Sequence, residues 1–185
     1  MTSRMRVRLG AAVAAACLLG LVGCDSGGGP SPSPTPTVQP SPPETSLERQ
    51  QREDFEAAEK AYRTFIADTN RVAATGGSLE PTAVMKATAA GPYLDFQSQL
   101  LRAQKKAGDT HTSGVEIGYI RTGGYSPSQL TLEVCEDASK NRVLDRNGNQ
   151  VSTGQILLRS LYVRRIDGRW KVWDGDEKGT ASSCE

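Results

Sequence analysis

The sequence contains few of the residues from which most enzyme active sites are built. One histidine and four cysteines among 185 residues exclude most metal sites and most histidine-dependent catalysis. Aromatic residues make up only 5% of the chain, and 22 Lys+Arg are nearly balanced by 21 Asp+Glu. Binding of nucleic acid through bulk charge requires a clustered basic surface, so this class of partner is excluded.

A signal peptide is predicted over residues 1–23. Arg4, Arg6 and Arg8 precede an uncharged, almost wholly apolar run over residues 9–23. At roughly 1.5 Å per residue this run makes a helix of about 22 Å, shorter than the ~30 Å hydrocarbon core of a bilayer. The segment therefore indicates secretion and not a membrane span. Its removal lowers the basic residues from 22 to 19 against 21 acidic residues, so the mature chain carries a net charge of −2.

The end of the signal peptide carries a more specific motif. Leu21-Val22-Gly23-Cys24 resembles the lipobox of bacterial lipoproteins. The resemblance implies cleavage before Cys24, a diacylglyceryl group on its thiol and further acylation of the new α-amine, for example with palmitate. Each buried methylene contributes about 0.8 kcal/mol, so two or three acyl chains would hold the protein almost irreversibly at the outer face of the cell membrane. The alternative is an ordinary cysteine after an ordinary signal peptide.

Residues 24–43 predict a lipidated cysteine followed by a disordered tether. Residues 25–43 hold seven of the ten prolines of the chain and almost no large apolar side chain. Such a composition buries too little surface to offset chain entropy. An extended proline-rich chain of this length reaches roughly 40–60 Å. The alternating Ser/Thr-Pro pattern resembles the O-mannosylated stalks of secreted actinobacterial proteins, and a plain tether is the alternative.

Residues 44–185 predict one folded domain with a helical first half. Thr45 or Ser46 is placed to cap the first helix, with Glu48 completing a capping box. Apolar residues then recur at three- to four-residue spacing, as expected for one buried helix face. These residues are Phe55, Ala58, Tyr62, Phe65, Ile66 and Val72. Glycines and Gly-Pro breaks separate helices predicted over residues 47–75, 81–89 and 92–107.

In the second half of the domain, apolar and polar residues alternate as expected for antiparallel strands. Leu130, Leu132 and Val134 share one strand face, and Asn147-Gly148 is a strong hairpin signal. Strands are predicted over residues 113–122, 129–136, 143–144, 155–166 and 170–173. Helices followed by an antiparallel meander predict an α+β fold, with the N-terminal helices packed on one face of a curved sheet.

The C-terminal half carries a family resemblance. Asp167 to Asp174 read D-G-R-W-K-V-W-D, and with the helical front half and the curved sheet they resemble the NTF2-like (cone) superfamily over about residues 50–185. The pattern is most similar to small lipoproteins of actinobacteria and their phages. That superfamily includes ketosteroid isomerase-like enzymes, polyketide cyclases and non-catalytic binding domains. The resemblance therefore implies a fold and leaves the function open.

After lipidation only Cys135 and Cys184 remain as free thiols in the mature chain. Outside the membrane the redox conditions permit disulfides, and two cysteines allow a single pairing. We therefore expect a Cys135–Cys184 disulfide that ties the C-terminal tail back across the sheet. The alternative, a reactive thiol, lacks a nearby histidine or basic motif to lower its pKa.

No catalytic or metal site is predicted, and no cofactor is expected. His111 lies in a polar connection, where we expect an exposed imidazole without a role. Asp145, Asn147 and Asn149 imitate the start of a calcium loop. An EF-hand, however, requires a glutamate at its twelfth position, where this chain has Ile156. A turn is therefore the expected structure of this segment.

Aromatic residues of the sheet half are the candidate binding residues. They are Tyr119, Tyr125, Tyr162, Trp170 and Trp173. On a concave sheet, Tyr119, Tyr162 and Trp170 are the candidates for a pocket, and simple packing beneath the helices is the alternative. Trp170 shares a strand face with Val172, so we expect it to be the more buried tryptophan. Asp174, Asp176 and Glu177 are expected in a solvated tail.

The sequence predicts a non-catalytic binding or interaction module, anchored outside the cytoplasm through Cys24. Its expected partners are the membrane, an envelope protein or a small apolar ligand, and a phage-borne copy would fit a role in superinfection exclusion. The alternative is a cone-fold isomerase or dehydratase acting on a small apolar ligand. An ionisable group inside an open cavity would favour the enzyme, and a filled cone would favour the interaction module.

Overall fold

Three helices and seven strands build the part of the chain that the structure, a computed structural model, describes: residues 43–185. The predicted signal peptide, Cys24 and nearly all of the tether lie outside these described residues. The helices are α1 (Ser46–Ala74), α2 (Ala83–Thr88) and α3 (Gly91–Ala107). The strands are β1 (Thr110–His111), β2 (Glu116–Ser126), β3 (Gln129–Asp137), β4 (Arg142–Leu144), β5 (Gln150–Thr153), β6 (Ile156–Ile166) and β7 (Arg169–Thr180).

Helix α1 begins at the predicted capping box. The Thr45 side chain accepts a hydrogen bond from the Glu48 N–H at 3.2 Å, and the Glu48 carboxylate accepts one from the Thr45 N–H at 2.7 Å. These two bonds satisfy backbone donors that a helix N-terminus otherwise leaves unpaired. The apolar stripe of α1 then buries Ala58, Tyr62 and Phe65 completely.

Helices α2 and α3 follow after a break at Gly76-Gly77. Thr82 caps α2, and its hydroxyl accepts the Met85 N–H at 3.1 Å. Helix α3 ends at Gly108, whose φ of 80° lies in the left-handed region that glycine adopts without strain.

The main sheet has four antiparallel strands in the order β2-β3-β6-β7. The strand predicted over residues 143–144 was placed within the same meander, and this prediction is wrong; β1 and β5 were not predicted. The β4–β5 hairpin projects away and pairs with β1, forming a separate three-stranded sheet in the order β1-β4-β5. The physical reason is length, because strands of three and four residues are too short to span the main sheet beside the eleven-residue β6.

Strand β7 is longer than predicted. The charged residues Asp174, Asp176 and Glu177 pair with Tyr162, Ser160 and Arg159 of β6 and do not form a solvated tail. The register between β6 and β7 shifts twice, between Tyr162 and Val163 and between Leu158 and Arg159. Such bulges absorb an extra residue and let a strand continue through an irregular sequence. Their positions are not evident from the sequence pattern.

The helices cover one face of the main sheet, which confirms the predicted α+β architecture. Leu132, Leu161, Val163 and Val172 of the sheet are completely buried together with Met85 of α2. Along residues 43–185, no helix combines the length and the apolar character needed to cross a membrane.

Candidate functional site

The structure does not bring the three predicted pocket residues together. Tyr162 lies between Leu161 and Val163, which both face the helices, so its own side chain points to the opposite face. Tyr119 pairs with Cys135 and therefore also lies on the face away from the helices. Trp170 lies on the helix-covered face. A pocket formed jointly by Tyr119, Tyr162 and Trp170 is thus excluded, because strand alternation separates them.

The predicted disulfide between Cys135 and Cys184 is present, with the two Cα atoms 5.6 Å apart. Cys135 is completely buried even though it faces away from the helices, so the C-terminal tail is what covers it. Gly118 of β2 makes room for this contact, because a Cβ atom at that position would lie 2.2 Å from the Cys184 Cβ. The disulfide is typical of a chain that folds in an oxidising compartment.

Two other predicted features have structural roles. His111 lies in β1 opposite Val143 and is half-buried, so the expectation of an exposed imidazole is wrong. Burial lowers the pKa of His111, partly offset by the charge of Asp109, and its Nδ1 lies 2.9 Å from the Asn141 Nδ2. Asp145 accepts the backbone N–H groups of Asn147 and Asn149, each at 2.8 Å, as expected of a turn.

A buried carboxylate joins α1 to the sheet near the start of the helix. Asp54 is 5% exposed and accepts hydrogen bonds from Trp170 Nε1 at 3.0 Å and from the Tyr125 hydroxyl at 2.9 Å. Arg165 forms an ion pair with the same carboxylate and lies over the Trp170 ring. Burial opposes ionisation of Asp54, but the hydrogen bonds from Trp170, Tyr125 and Gln50 and the charge of Arg165 outweigh it and lower its pKa.

The domain is open at the opposite end, where α1 finishes and α3 crosses the sheet. A cavity of about 440 Å³, here called the main cavity, lies between these helices and the sheet. Its lining residues are Ile66, Thr69, Tyr93, Gln97, Leu100, Val115, Glu136, Ala138, Gly154, Gln155, Leu157, Arg159 and Glu177. A cavity of this size, largely apolar and with a few polar groups, is the usual form of a small-molecule site.

A buried ion pair forms the polar wall of the main cavity. Glu136 of β3 is 6% exposed, and its Oε2 lies 3.0 Å from Nε of Arg159 on β6. Its Oε1 accepts a hydrogen bond from the hydroxyl of Tyr62, which is completely buried. Both carboxylate oxygens are therefore engaged by the protein.

Arg159 makes fewer polar contacts with the protein than Glu136 does. Its Nε atom is buried and makes no directed hydrogen bond, so the contact with Glu136 is ionic only. A guanidinium carries five N–H donors in a fixed plane. Among residues 43–185, Glu136 is the only carboxylate within ion-pair distance of Arg159.

Tyr93 of α3 completes the polar wall. Its ring packs on Phe65 with the centroids 5.3 Å apart. Burial raises the pKa of Tyr93, and the nearby charge of Glu136 acts in the same direction. Burial likewise raises the pKa of Tyr62, helped by Tyr93 and Glu136. Both phenols therefore stay protonated at neutral pH.

A second cavity of about 370 Å³, here called the side cavity, adjoins the main cavity. Tyr93, Arg159 and Glu177 line both cavities, so these three residues form the wall between them. The side cavity opens beside Phe96, which is 52% exposed. One large apolar side chain thus remains accessible at its mouth.

Sequence reasoning missed Glu136 and Arg159, although a signal for Glu136 was present. Leu130, Leu132 and Val134 were predicted on one strand face, and Glu136 is the next residue of that alternation. A charged residue that continues a buried face requires a partner. The partner itself was not identifiable, because the register between β3 and β6 places it.

Comparisons with known proteins show a solved structure of similar fold but do not identify a family. No protein-family model matches the chain, and no curated protein sequence matches it. The intermembrane-space region of the chloroplast protein ARC6 is similar at 12% identity with a TM-score of 0.51, over 70% of this chain and 98% of that chain. At this identity the similarity concerns the fold alone.

A second solved structure is a protein of unknown function with a cystatin-like fold from Nostoc punctiforme PCC 73102. It has 14% identity and covers 72% of this chain and 91% of that chain. Its TM-score is 0.35, which is below the level at which two folds can be called alike.

Proposed function

We propose that the protein is a lipid-anchored extracytoplasmic binding module whose folded domain takes a small, mainly apolar molecule into the main cavity. The contacts that Glu136 makes with Tyr62 and Arg159 are the observation that supports binding without catalysis. The two carboxylate oxygens of Glu136 already contact Tyr62 and Arg159, so a substrate would have to compete with both partners to use this carboxylate as a base. The lipobox, the tether and the disulfide support a place at the outer face of a membrane.

The narrow part of the cone and its open end have different roles in this proposal. The narrow part is filled by Phe65, Met85, Leu132 and Val163, which are completely buried and make the domain stable. The open end holds the main cavity, with Ile66, Leu100 and Leu157 available for apolar contact. A packed core with an open cavity is consistent with the resemblance to small envelope lipoproteins of actinobacteria or their phages. In a phage-borne protein, such a binder would fit a role in the exclusion of a second phage.

Filling the cavity tests the proposal. Gln97 lines the main cavity from α3, whereas Gln99 lies on the exposed face of the same helix. We expect the purified full-length chain to enhance the fluorescence of the neutral dye N-phenyl-1-naphthylamine in a saturable manner. Gln97→Trp should abolish this enhancement and Gln99→Trp should preserve it. The comparison of the two variants cancels any dye taken up by lipid or detergent. Equal binding by both would contradict a ligand site in the main cavity.

The alternative, an isomerase or dehydratase, would depend on a different carboxylate. Glu177 lines both cavities and is exposed at their common rim, opposite Arg159. An enzyme of this type would catalyse exchange of the protons beside a ketone. We therefore expect 1-tetralone in D₂O to gain deuterium no faster with the protein than in buffer. Accelerated exchange that disappears in Glu177→Gln would establish the enzyme and overturn the non-catalytic proposal.

A further inference from the structure

A cluster of basic residues surrounds the hairpin that joins β6 to β7. From Arg164 to Lys171 this hairpin contains four cations and one acidic residue, Asp167. Arg165 is paired with Asp54, whereas the other three cations of the hairpin form no ion pair within residues 43–185. Two lysines of the adjoining helices share this property. These unpaired cations, here called the basic patch, are Lys60, Lys86, Arg164, Arg169 and Lys171.

The five side chains of the basic patch belong to one continuous surface. Arg164 and Lys171 lie directly opposite each other on β6 and β7. Lys171 Nζ donates a hydrogen bond to the Lys86 carbonyl oxygen at 3.0 Å, which places α2 beside β7. Lys60 and Arg169 line a common groove of about 590 Å³ between α1, α2 and the hairpin. The basic patch therefore extends from the outer face of the sheet around the hairpin to α1.

The neighbouring acidic residues do not neutralise the basic patch. The two glutamates closest to Lys60 along α1, Glu56 and Glu59, already pair with arginines of the same helix. Like charges directly opposite each other in a sheet, as Arg164 and Lys171 are, destabilise the strand pair. The hairpin therefore keeps a positive potential that attracts an anionic partner from outside the protein.

The position of the hairpin relates the basic patch to the predicted anchor. Helix α1 begins at Ser46, so the predicted tether enters the folded domain at this point. Asp54 lies eight residues further, about 12 Å along the helix, and contacts Arg165 and Trp170 of the hairpin. The hairpin thus packs beside the first half of α1, in the part of the domain that the tether joins.

From these observations we propose that the basic patch docks the folded domain onto the anionic phospholipids of the membrane that carries the chain. The phosphates of the lipid headgroups supply the counter-charges that the protein itself does not. The groove lined by Lys60 and Arg169 is large enough to receive one headgroup. This inference rests on the proposed lipid anchor and adds to it an electrostatic contact made by the domain.

The anchor makes a weak contact sufficient. Each Lys or Arg close to an anionic membrane strengthens binding about fivefold, so five of them give a dissociation constant on the order of millimolar. A flexible tether holds a domain near its target at an effective concentration that is also on the order of millimolar. The basic patch therefore binds weakly in a free chain and holds an anchored domain on the membrane for much of the time.

Energy transfer from tryptophan measures the docking. Both tryptophans of the chain, Trp170 and Trp173, lie in the hairpin. The purified full-length chain is reconstituted into vesicles of phosphatidylcholine alone, or of phosphatidylcholine and phosphatidylglycerol in equal amounts, with a trace of lipid that carries a dansyl headgroup. We expect stronger transfer to dansyl in the anionic vesicles. The difference should disappear in about 1 M salt, where the screening length is ~3 Å. Equal transfer in both kinds of vesicle, or a difference that persists in high salt, overturns the inference.

A double substitution tests the basic patch in the protein. Lys86 and Arg169 are exposed, so Lys86→Gln combined with Arg169→Gln should melt at the wild-type temperature. Its docking should weaken about 25-fold, which lowers the transfer to the level of the neutral vesicles. The matched control is Lys105→Gln combined with Lys106→Gln, which removes the same charge from the exposed last turn of α3 and should keep the wild-type transfer. An equal loss of transfer in the two double variants rejects the basic patch as the docking surface.

Flotation of the same vesicles at millimolar lipid separates failure of this inference from failure of the anchor. A chain that floats with both kinds of vesicle and shows equal transfer keeps the anchor and rejects the docking. A chain that floats with the anionic vesicles alone supports the docking and refutes the anchor. A chain that floats with neither refutes the anchor and the docking that rests on it. Salt-sensitive binding of soluble polyphosphate without a response to anionic vesicles assigns the basic patch to an anionic wall polymer and overturns the lipid surface as its partner.

Discussion

At the scale of single residues, the two tryptophans show how strand alternation divides neighbouring side chains. Trp170 is 6% exposed and donates a hydrogen bond to Asp54, whereas Trp173 is half-buried beside Gly91 and the Arg164 guanidinium. The expectation that Trp170 is the more buried of the two is confirmed. The reason is that Trp170 and the completely buried Val172 share one strand face.

Truncation of the two tryptophans should therefore have unequal effects. We expect Trp170→Ala to lower the free energy of unfolding by about 3–5 kcal/mol, because it removes a large core side chain and leaves Asp54 without a donor. Trp173→Ala should cost much less. Urea unfolding of both variants measures the difference, and a larger loss in Trp173→Ala would contradict the packing described here.

Asp54 should make stability depend on pH in the acidic range. Its folded pKa is lowered, so its ionised form contributes stability above the unfolded pKa of about 3.9, and this contribution is lost as the pH falls through the folded pKa. Asp54→Asn should therefore be less stable than the wild type at pH 7. The difference should shrink below about pH 4.

Urea unfolding at pH 7 and pH 3 measures this effect. Glu53→Gln is the control, because Glu53 is an exposed neighbour on the same helix and its substitution should change stability little at either pH. A stability difference between Asp54→Asn and the wild type that stays constant from pH 7 to pH 3 would contradict the role assigned to Asp54.

At the scale of elements, charged residues on buried faces mark where helices and strands meet. Asp54 precedes Ala58 and Tyr62 on the apolar stripe of α1, just as Glu136 follows Val134 on the buried face of β3. In each case a charged residue occupies a position at which the spacing of the element predicts an apolar core residue. Both carboxylates have cationic partners on β6, namely Arg165 and Arg159. The two ion pairs thus connect β6 to α1 and to β3.

The contact of the C-terminal tail with β2 gives a prediction at the same scale. Gly118→Ala would place a Cβ atom 2.2 Å from the Cys184 Cβ, so the tail and the β2 backbone cannot both keep their positions. We expect the peptide that links Cys135 to Cys184 to decrease in non-reducing maps. Stability should fall by up to about 4 kcal/mol, the contribution of a disulfide closing a loop of this length.

Gly124→Ala provides the control for this substitution. Gly124 lies on the same strand, and a Cβ atom there would meet only the Thr131 hydroxyl oxygen at 3.9 Å. This variant should keep the full yield of the linked peptide. An equally complete Cys135–Cys184 linkage in Gly118→Ala, with unchanged stability, would show that the tail does not pack against β2 as described.

At the scale of the whole molecule, the predicted lipobox makes membrane anchoring the property to test. Wild-type protein should partition into detergent and incorporate labelled palmitate, because the proposed acylation of Cys24 would bury many methylenes in the bilayer. Cys24→Ser should yield unprocessed or soluble protein without label. Cys17→Ser is the control, because Cys17 lies within the predicted signal peptide and is removed with it. Wild-type protein that stays in the aqueous phase and unlabelled would refute the anchor.

The order of the three helices and of the four strands of the main sheet, together with the buried faces of α1 and β3, followed from the sequence by itself. The capping box at Thr45, the apolar stripe of α1 and the alternation of β3 are local patterns, since each depends on neighbours within one element. The disulfide also followed, because after the predicted lipidation of Cys24 only two cysteines of the mature chain keep a free thiol. Local periodicity and simple counting were sufficient for these features.

The cavity and its polar wall were decided only by the tertiary structure. Tyr62 and Glu136 are 74 residues apart in the chain, and their contact depends on how α1 crosses the sheet. Arg159 reaches Glu136 through the register between β3 and β6. Glu177 lies opposite Arg159 because of the bulge between Tyr162 and Val163, which no sequence pattern predicts. Helix crossings, strand registers and bulges are set by packing across the whole domain. For this reason the aromatic residues chosen from the sequence proved to lie on opposite faces of the sheet, while the groups that line the cavity went unrecognised.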